Sequence, residues 1–289
     1  MASIQYKLFS QVVALLPLKL RMQVLYFRRF KKFCNFNNPI TFNEKLQKKK
    51  LVDRNPLLAI AADKIASKNL VSEISKDLYI PKTLWSSIQL EDIDFLDFDV
   101  LPSEYVFKAN HTSQTIEIIR NNKHLSKKRM KKLGKSWLKH DQATALGEWA
   151  YQNIQPKIFI EEFLDFGGRE PDDYKFFVYH GIVHFIQLDA DRFVNHKRNM
   201  FTRDWVELDF NYSYERKIPT PSKPHFLNQM IKVAEKIGHH FDFVRVDLYW
   251  YNNKVTFGEL TIYPGAGFEK FPNKKWDLLF GEPWKTVSS

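Results

Sequence analysis

The segment Phe243-Val-Arg-Val-Asp-Leu-Tyr-Trp-Tyr-Asn-Asn-Lys-Val-Thr-Phe-Gly-Glu-Leu-Thr-Ile-Tyr263 alternates apolar and polar residues on both sides of a polar break. Period-two patterning around Asn252-Asn253-Lys254 predicts a β-hairpin. With those three residues as the loop, Tyr251 faces Val255. Asp247 then lies opposite Glu259, and Arg245 opposite Thr261, all on one face. Val246, Leu248, Leu260 and Ile262 form the other face, which belongs against a core. A two-residue loop would shift the pairing by one and put the two acids on opposite faces. Carboxylates directly across a strand pair repel each other unless a cation sits between them. Carboxylate oxygens suit Mg²⁺, with phosphate oxygens completing its shell. Asp247 and Glu259 are therefore expected as metal ligands, against the alternative of two surface acids on a wet hairpin.

Outward from this hairpin, the texture is mixed. Residues 1–34 read as helical, broken at Pro17. Thr41-Phe-Asn-Glu44 is a capping-box pattern that opens a helix to about Lys50. One helix is expected from Pro56 to Glu73. Tyr105–Lys108 reads as a strand ending in the polar turn Asn110–Ser113, and residues 114–152 as helical. Lys157–Phe163 alternates like a strand. Tyr174–Tyr179 and Ile182–Leu188 flank His180-Gly181, a second hairpin signal. Leu227, Met230, Ile231, Ala234 and Ile237 form a helical stripe that stops at Gly238. Helices followed by antiparallel hairpins indicate an α+β class. The expected division is 1–84, helical and basic; 85–164; and 165–289, which carries the hairpin.

The 289 residues are enough for one large domain or two modest ones. One cysteine, Cys34, excludes a disulfide scaffold and multi-cysteine zinc sites. No apolar run reaches the length of a membrane span, and Val12–Leu18 is too short and too basic in its flank for a signal peptide. The expected setting is the cytoplasm. The net charge of +11 is concentrated. Residues 1–50 hold eleven Lys/Arg against Glu44, and residues 118–140 hold nine Lys/Arg and no acid. Two basic patches on an otherwise acidic chain point to anionic partners. The first suits either peripheral contact at the inner face of a membrane or a helix docked on the main domain. The second, Lys127–Lys132, has only Trp137 as a nearby aromatic, which argues against nucleic acid.

Arg245-Val-Asp247, Glu259-Leu-Thr261 and Pro264-Gly265 resemble the end of the ATP-grasp superfamily. The similarity is closest to its TupA-like branch, named for teichuronopeptide biosynthesis, and runs from about residue 38 to 280. It includes Pro39–Lys45, Ala62-Asp-Lys64, Phe107-Lys-Ala-Asn110 and Asp173-Tyr-Lys-Phe-Phe177. The resemblance implies an ATP-grasp fold of two α+β subdomains behind a helical N-terminal region, with ATP and Mg²⁺ as cofactors. It implies that Lys108 and Lys64 contact phosphate, together with His111 and Ser113 of the following loop. That loop lacks the family's glycines, and Thr261 replaces a metal-ligating Asn. Backbone near Glu162 and Phe163, with the Glu161 side chain, would grip adenine. Lys175, among aromatics, needs an anionic partner such as a phosphate. Arg192 is suited to clamping a carboxylate substrate or pairing with Asp189 or Asp191. Arg245 is placed to stabilise charge on a transferring phosphoryl group.

The implied activity is a carboxylate–amine ligase joining an amino acid to a hexuronic acid of a bacterial surface polysaccharide. The partners would be an acidic saccharide and an amino acid. Asp189-Ala-Asp191 keeps a glycosyltransferase open, the metal pair keeps a sugar kinase open, and a non-catalytic polymer-binding protein is a third rival. Asp165-Phe-Gly167 lacks the loops of a kinase. His180 and His184 straddle a predicted turn and are not expected to bind zinc.

Overall fold

The computed structural model describes residues 13–169, 171–192 and 194–285. The start of the expected N-terminal helical region, with Lys7, Leu8 and Val12, lies outside the described residues. Helix α1 (Leu18–Phe30) starts directly after Pro17 and ends at Lys31, whose left-handed φ of 59° lets its N–H donate to Phe27 O. It buries Met22 and Tyr26 in a small core with Cys34 and Phe36, against Leu51 and Phe268. In the described part of the basic first patch, α1 is thus docked on the rest of the chain. No helix among the described residues is long and apolar enough to cross a membrane.

The capping box forms as expected: Thr41 caps α2 (Phe42–Val52), and Glu44 reaches back to the Thr41 N–H. The expected helix from Pro56 is two helices, α3 (Pro56–Ala62) and α4 (Ala66–Ile74). The break has a local cause. The Asp63 carboxylate accepts from the N–H groups of Ile65 (2.8 Å) and Ala66 (3.2 Å), which favours a cap over a continued ladder. Lys64 sits in the break and donates its N–H to Asn110 O.

A four-stranded antiparallel sheet follows in the order β1-β4-β2-β3, made of β1 (Thr83–Ser87), β2 (Tyr105–Ala109), β3 (Ile116–Ile119) and β4 (Ile158–Glu162). Residues 114–152 were expected to be helical, yet β3 occupies their start because Ile116, Ile118 and Ile119 favour a strand. The helices α5 (Lys127–Leu138), α6 (Gln142–Leu146) and α7 (Trp149–Gln152) come after it. Met130 and Trp137 of α5 cover Tyr105, Phe107, Ile158 and Ile160 to make a separate core.

The second sheet has six antiparallel strands in the order β10-β9-β5-β6-β7-β8. These are β5 (Asp173–Tyr179), β6 (Ile182–Ala190), β7 (Lys197–Thr202), β8 (Glu207–Leu208), β9 (Phe243–Tyr251) and β10 (Lys254–Thr261). Helix α8 (Leu227–Gly238) buries the expected stripe against it, each large side chain contributing about 1.5–3 kcal/mol. Helix α9 (Lys274–Gly281) packs on α2, where Phe42 meets Phe177, Phe243 and Phe280.

The last hairpin corrects the expected turn. Its loop has two residues, Asn252 and Asn253, both with positive φ (49° and 57°), so Lys254 pairs with Tyr251. That loop alone would have separated the acids. A bulge between Phe257 and Glu259 restores the pairing, and Glu259 faces Asp247 while Thr261 faces Arg245. Gly258 permits it: a Cβ there would lie 2.8 Å from Asp247 O and 2.9 Å from the Tyr249 ring. Gly258→Ala should therefore destabilise the protein by about 1–3 kcal/mol in urea unfolding. Unchanged stability would show that the bulge does not need a bare backbone.

Candidate active site

One row of side chains crosses the six-stranded sheet: Gln187, Lys175, Asp247 and Glu259 occupy paired positions on β6, β5, β9 and β10. Asp247 is fully buried and doubly engaged. Arg245 donates through Nε to Oδ1 and through a terminal nitrogen to Oδ2, both at 2.7 Å. Lys175 Nζ approaches Oδ2 at 2.8 Å. Burial opposes ionisation of Asp247, but Arg245 and Lys175 outweigh it and hold the carboxyl below its usual range. Burial likewise disfavours charge on Lys175, yet Asp173 and Asp247 raise it. Asp173 bridges Lys175 (2.5 Å) and Arg192 (2.7 Å), and its Oδ1 has no donor among the described residues.

Glu259 is the open member of the row. Its side chain is 42% exposed, and the Arg245 guanidinium, 4.0 Å away, also donates to Thr261 Oγ1 at 3.0 Å. The guanidinium therefore contacts both acids that the sequence pairs.

A second cluster sits on the four-stranded sheet. Glu161 of β4 accepts from Lys108 through one oxygen and lies 2.6 Å from Lys68 through the other. Lys68 also donates to Pro81 O and Thr83 Oγ1. Burial disfavours the Glu161 carboxylate, but Lys108 and Lys68 hold its pKa below the usual value. Glu161 thereby orients the expected phosphate lysine. The Glu162 carboxylate accepts from Tyr79 OH (2.5 Å) and Lys82 N–H (2.9 Å), and Phe163 lies under Arg120.

Lys64 joins the two clusters. Its Nζ donates to Thr112 O at 2.7 Å, and burial lowers its pKa while Glu259, Lys108 and Glu161 act on it. His111 Nδ1 lies 3.2 Å from Asn110 Oδ1, and its Nε2 is buried with no partner among the described residues.

A cleft of about 1040 Å³ opens here. Lys64, His111, Ser113, Arg245, Glu259 and Thr261 line it, bringing six expected site residues together. Lys108, Glu161, Glu162, Phe163, Lys175, Arg192 and Asp247 stand outside its lining. Farther out, Arg28, Arg29, Lys31, Lys139 and Lys270 line the cleft, so α1 forms part of its wall. The Lys127–Lys132 run does not line it. Lys131 pairs with Asp94 and Arg129 with Glu117.

Arg192 pairs with Asp173, not with Asp189 or Asp191 as weighed from the sequence. Asp189 is held by Arg198 (2.6 Å) and Asp191 by Lys217 (3.0 Å). The Asp189-Ala-Asp191 pattern is thus already paired with cations. Among the described residues no three His, Cys, Asp or Glu side chains converge as a metal cage. Of the two expected metal ligands only Glu259 lines the cleft; both Asp247 oxygens are held by Arg245 and Lys175. A Mg²⁺ here therefore fits Glu259 with phosphate oxygens completing its shell, and Asp247 would join it only by giving up those bonds.

The reading from sequence gave no role to Asp173 or Lys68, and none to Lys50 and Glu148, which are both buried. The two-residue spacing of Asp173 and Lys175 places them on one strand face and was a usable signal. Nothing local marked Glu148.

The Glu161 ion pairs have a definite pH signature. A depressed carboxyl stabilises the fold fully above its unfolded pKa of about 4.3, and the contribution fades as pH falls through the folded value. Glu161→Gln should cost about 3 kcal/mol near neutrality, since Lys68 stays buried without its partner. The deficit in urea unfolding should shrink at about pH 3. An equal deficit at both pH values would refute the ion-pair account.

The family model described as TupA-like ATPgrasp matches residues 44–285. No curated protein sequence matches the chain. Among solved structures, the chain is similar to D-alanine–D-alanine ligase from Helicobacter pylori, at 13% identity and TM-score 0.42, covering 78% of this chain and 62% of that one. It is also similar to the ATP-grasp ligase PsnB complexed with minimal precursor, Mg and ADP, at 12% identity and TM-score 0.43, covering 84% and 66%. Phosphoribosylamine–glycine ligase from Thermotoga maritima matches at 10% identity and TM-score 0.45, covering 76% and 55%. The chain spans less than two thirds of the length of each of these structures. The family match takes in every residue of both charged clusters, and the chain belongs to the TupA-like ATP-grasp family, within a superfamily of ATP-dependent ligases that form carbon–nitrogen bonds.

Proposed function

We propose that this chain is an ATP-dependent carboxylate–amine ligase that joins an amino acid to a hexuronic acid of a bacterial surface polysaccharide. The observation that carries the reading is the cleft where Lys64, Arg245, Glu259 and Thr261 converge. Its inner wall has cations for a polyphosphate, and the buried His111 Nε2 is a polar atom left for a ligand. Glu259 would hold Mg²⁺ against phosphate oxygens, while Asp247 is taken up by Arg245 and Lys175. When bound, ATP supplies the phosphoryl group that makes a carboxylate electrophilic enough for an amine to attack.

The chain's own residues do the positioning. Glu161 and Lys68 fix Lys108, so its ammonium is presented without a search through rotamers. Asp247 fixes Arg245 at the inner wall, ready to offset charge that develops on reacting oxygens. Arg28, Arg29, Lys31, Lys139 and Lys270 give the outer cleft a positive field that suits an acidic acceptor. That field favours the uronic acid over a neutral sugar. With both acids of Asp189-Ala-Asp191 ion-paired, the glycosyltransferase reading has less support.

The test combines protein, ATP, Mg²⁺, uronic acids and an amino-acid mixture, with ADP release and product mass both read. ADP that forms only when acid and amine are both present supports the ligase. ADP that needs no amine, with a phosphorylated sugar as product, makes the protein a kinase. Glu259→Gln keeps size and sits at an open position, so the fold should persist. Turnover should fall by about 10²-fold or more, as expected when charge stabilisation is lost at a reacting centre. Unchanged turnover would remove Glu259 from the site.

A further inference from the structure

Seven Lys and Arg side chains line the cleft against three acids: Asp141, Glu148 and Glu259. An amine substrate arrives as an ammonium near neutral pH, because even an α-amino group at a chain terminus has a pKa of about 8. In such a cleft it is repelled everywhere except beside an acid. Asp141 is exposed and caps α6 through the Thr144 N–H at 2.8 Å. Glu259 stands beside Arg245 at the polyphosphate wall. Glu148 remains.

Glu148 directly precedes α7 and is only 9% exposed. No hydrogen bond or ion pair engages its carboxylate among the described residues. The nearest cation, Lys50, is fully buried and donates to Leu146 O (3.0 Å), Gln47 Oε1 (3.3 Å) and Ala266 O (2.5 Å). Tyr151 and Tyr263 also lie within the field of Glu148, and Tyr151 feels Glu259 and Arg245 as well. The acid therefore shares one electrostatic neighbourhood with the reacting wall.

We propose that Glu148 binds the incoming ammonium and acts as the base that removes its proton. The reading rests on the ligase assignment above. The proton passes from nitrogen to the Glu148 carboxylate, and the freed lone pair attacks the acyl carbon. The C–N bond forms, the C–O bond to phosphate breaks, and the departing phosphate takes the second proton lost from nitrogen and leaves as hydrogen phosphate. Burial raises the Glu148 pKa to about 7 against the opposing charge of Lys50, and burial lowers Lys50 to about 8. A base in that range both accepts the proton and releases it again near neutral pH.

Hydroxylamine, which is uncharged near neutral pH, separates the two half-reactions. The full chain is given ATP, Mg²⁺, glucuronate or galacturonate, and either hydroxylamine or an amino-acid mixture. In Glu148→Gln, hydroxamate should stay within about threefold of wild type while amide falls about 100-fold or more. Amide should recover once the pH is raised above the amino acid's own amine pKa, where the amine is already neutral. Glu148→Asp, which keeps a carboxylate, should recover much of the amide near neutral pH. Wild type that forms no hydroxamate overturns the ligase reading on these acids, and the base with it. Wild type that forms hydroxamate, with the Gln variant keeping both products or losing both alike, overturns the base alone. An Asp variant as slow as the Gln variant does the same.

Discussion

Asp247 is a buried carboxylate held between a guanidinium and an ammonium, and the six-stranded sheet is organised around that arrangement. Taking charges out of water is expensive, so such a group persists only when its partners are complete. Here they are supplied by adjacent positions of β5 and β9, and Asp173 and Arg192 extend the chain of alternating charge. The network keeps Arg245 at the cleft wall without depending on its own rotamer preferences. Rigidity of this kind would serve the phosphoryl transfer proposed above, since positioning supplies much of the catalysis in such reactions.

The four-stranded sheet repeats the device with the same signs. There one carboxylate, Glu161, is flanked by two lysines. Lys64 lies between the two clusters because Asp63 ends one helix and starts the next. A capping residue is thus what delivers a lysine into the cleft.

Much of this was legible in the sequence. The capping box at Thr41 and the strand alternation follow from period and turn chemistry alone. The hairpin pairing was reached by a compensation that pattern reading does not see. The loop is one residue shorter than expected, and the bulge at Gly258 adds the residue back. A lone glycine in a strand was the available sign. Lys49 and Lys50, in a run of three lysines, are only 4% and 0% exposed. Their partners, Asp53 and Asp242 for one and three neutral oxygens for the other, include groups up to 216 positions away. No local window reveals such partners. Glu148 escaped notice for the same reason.

The ammonium of Lys50 draws together α2, the end of α6 and the turn at Pro264–Gly267. Arg29 of α1 meanwhile donates to Phe268 O at 2.7 Å, just beyond that turn. The segment ahead of residue 44, which the family model leaves unmatched, is thereby stitched into the wall of the cleft. A homologue that exchanged its N-terminal helix would exchange part of its entrance with it. Lineages sharing the inner chemistry thus have a simple way to diverge in what they admit.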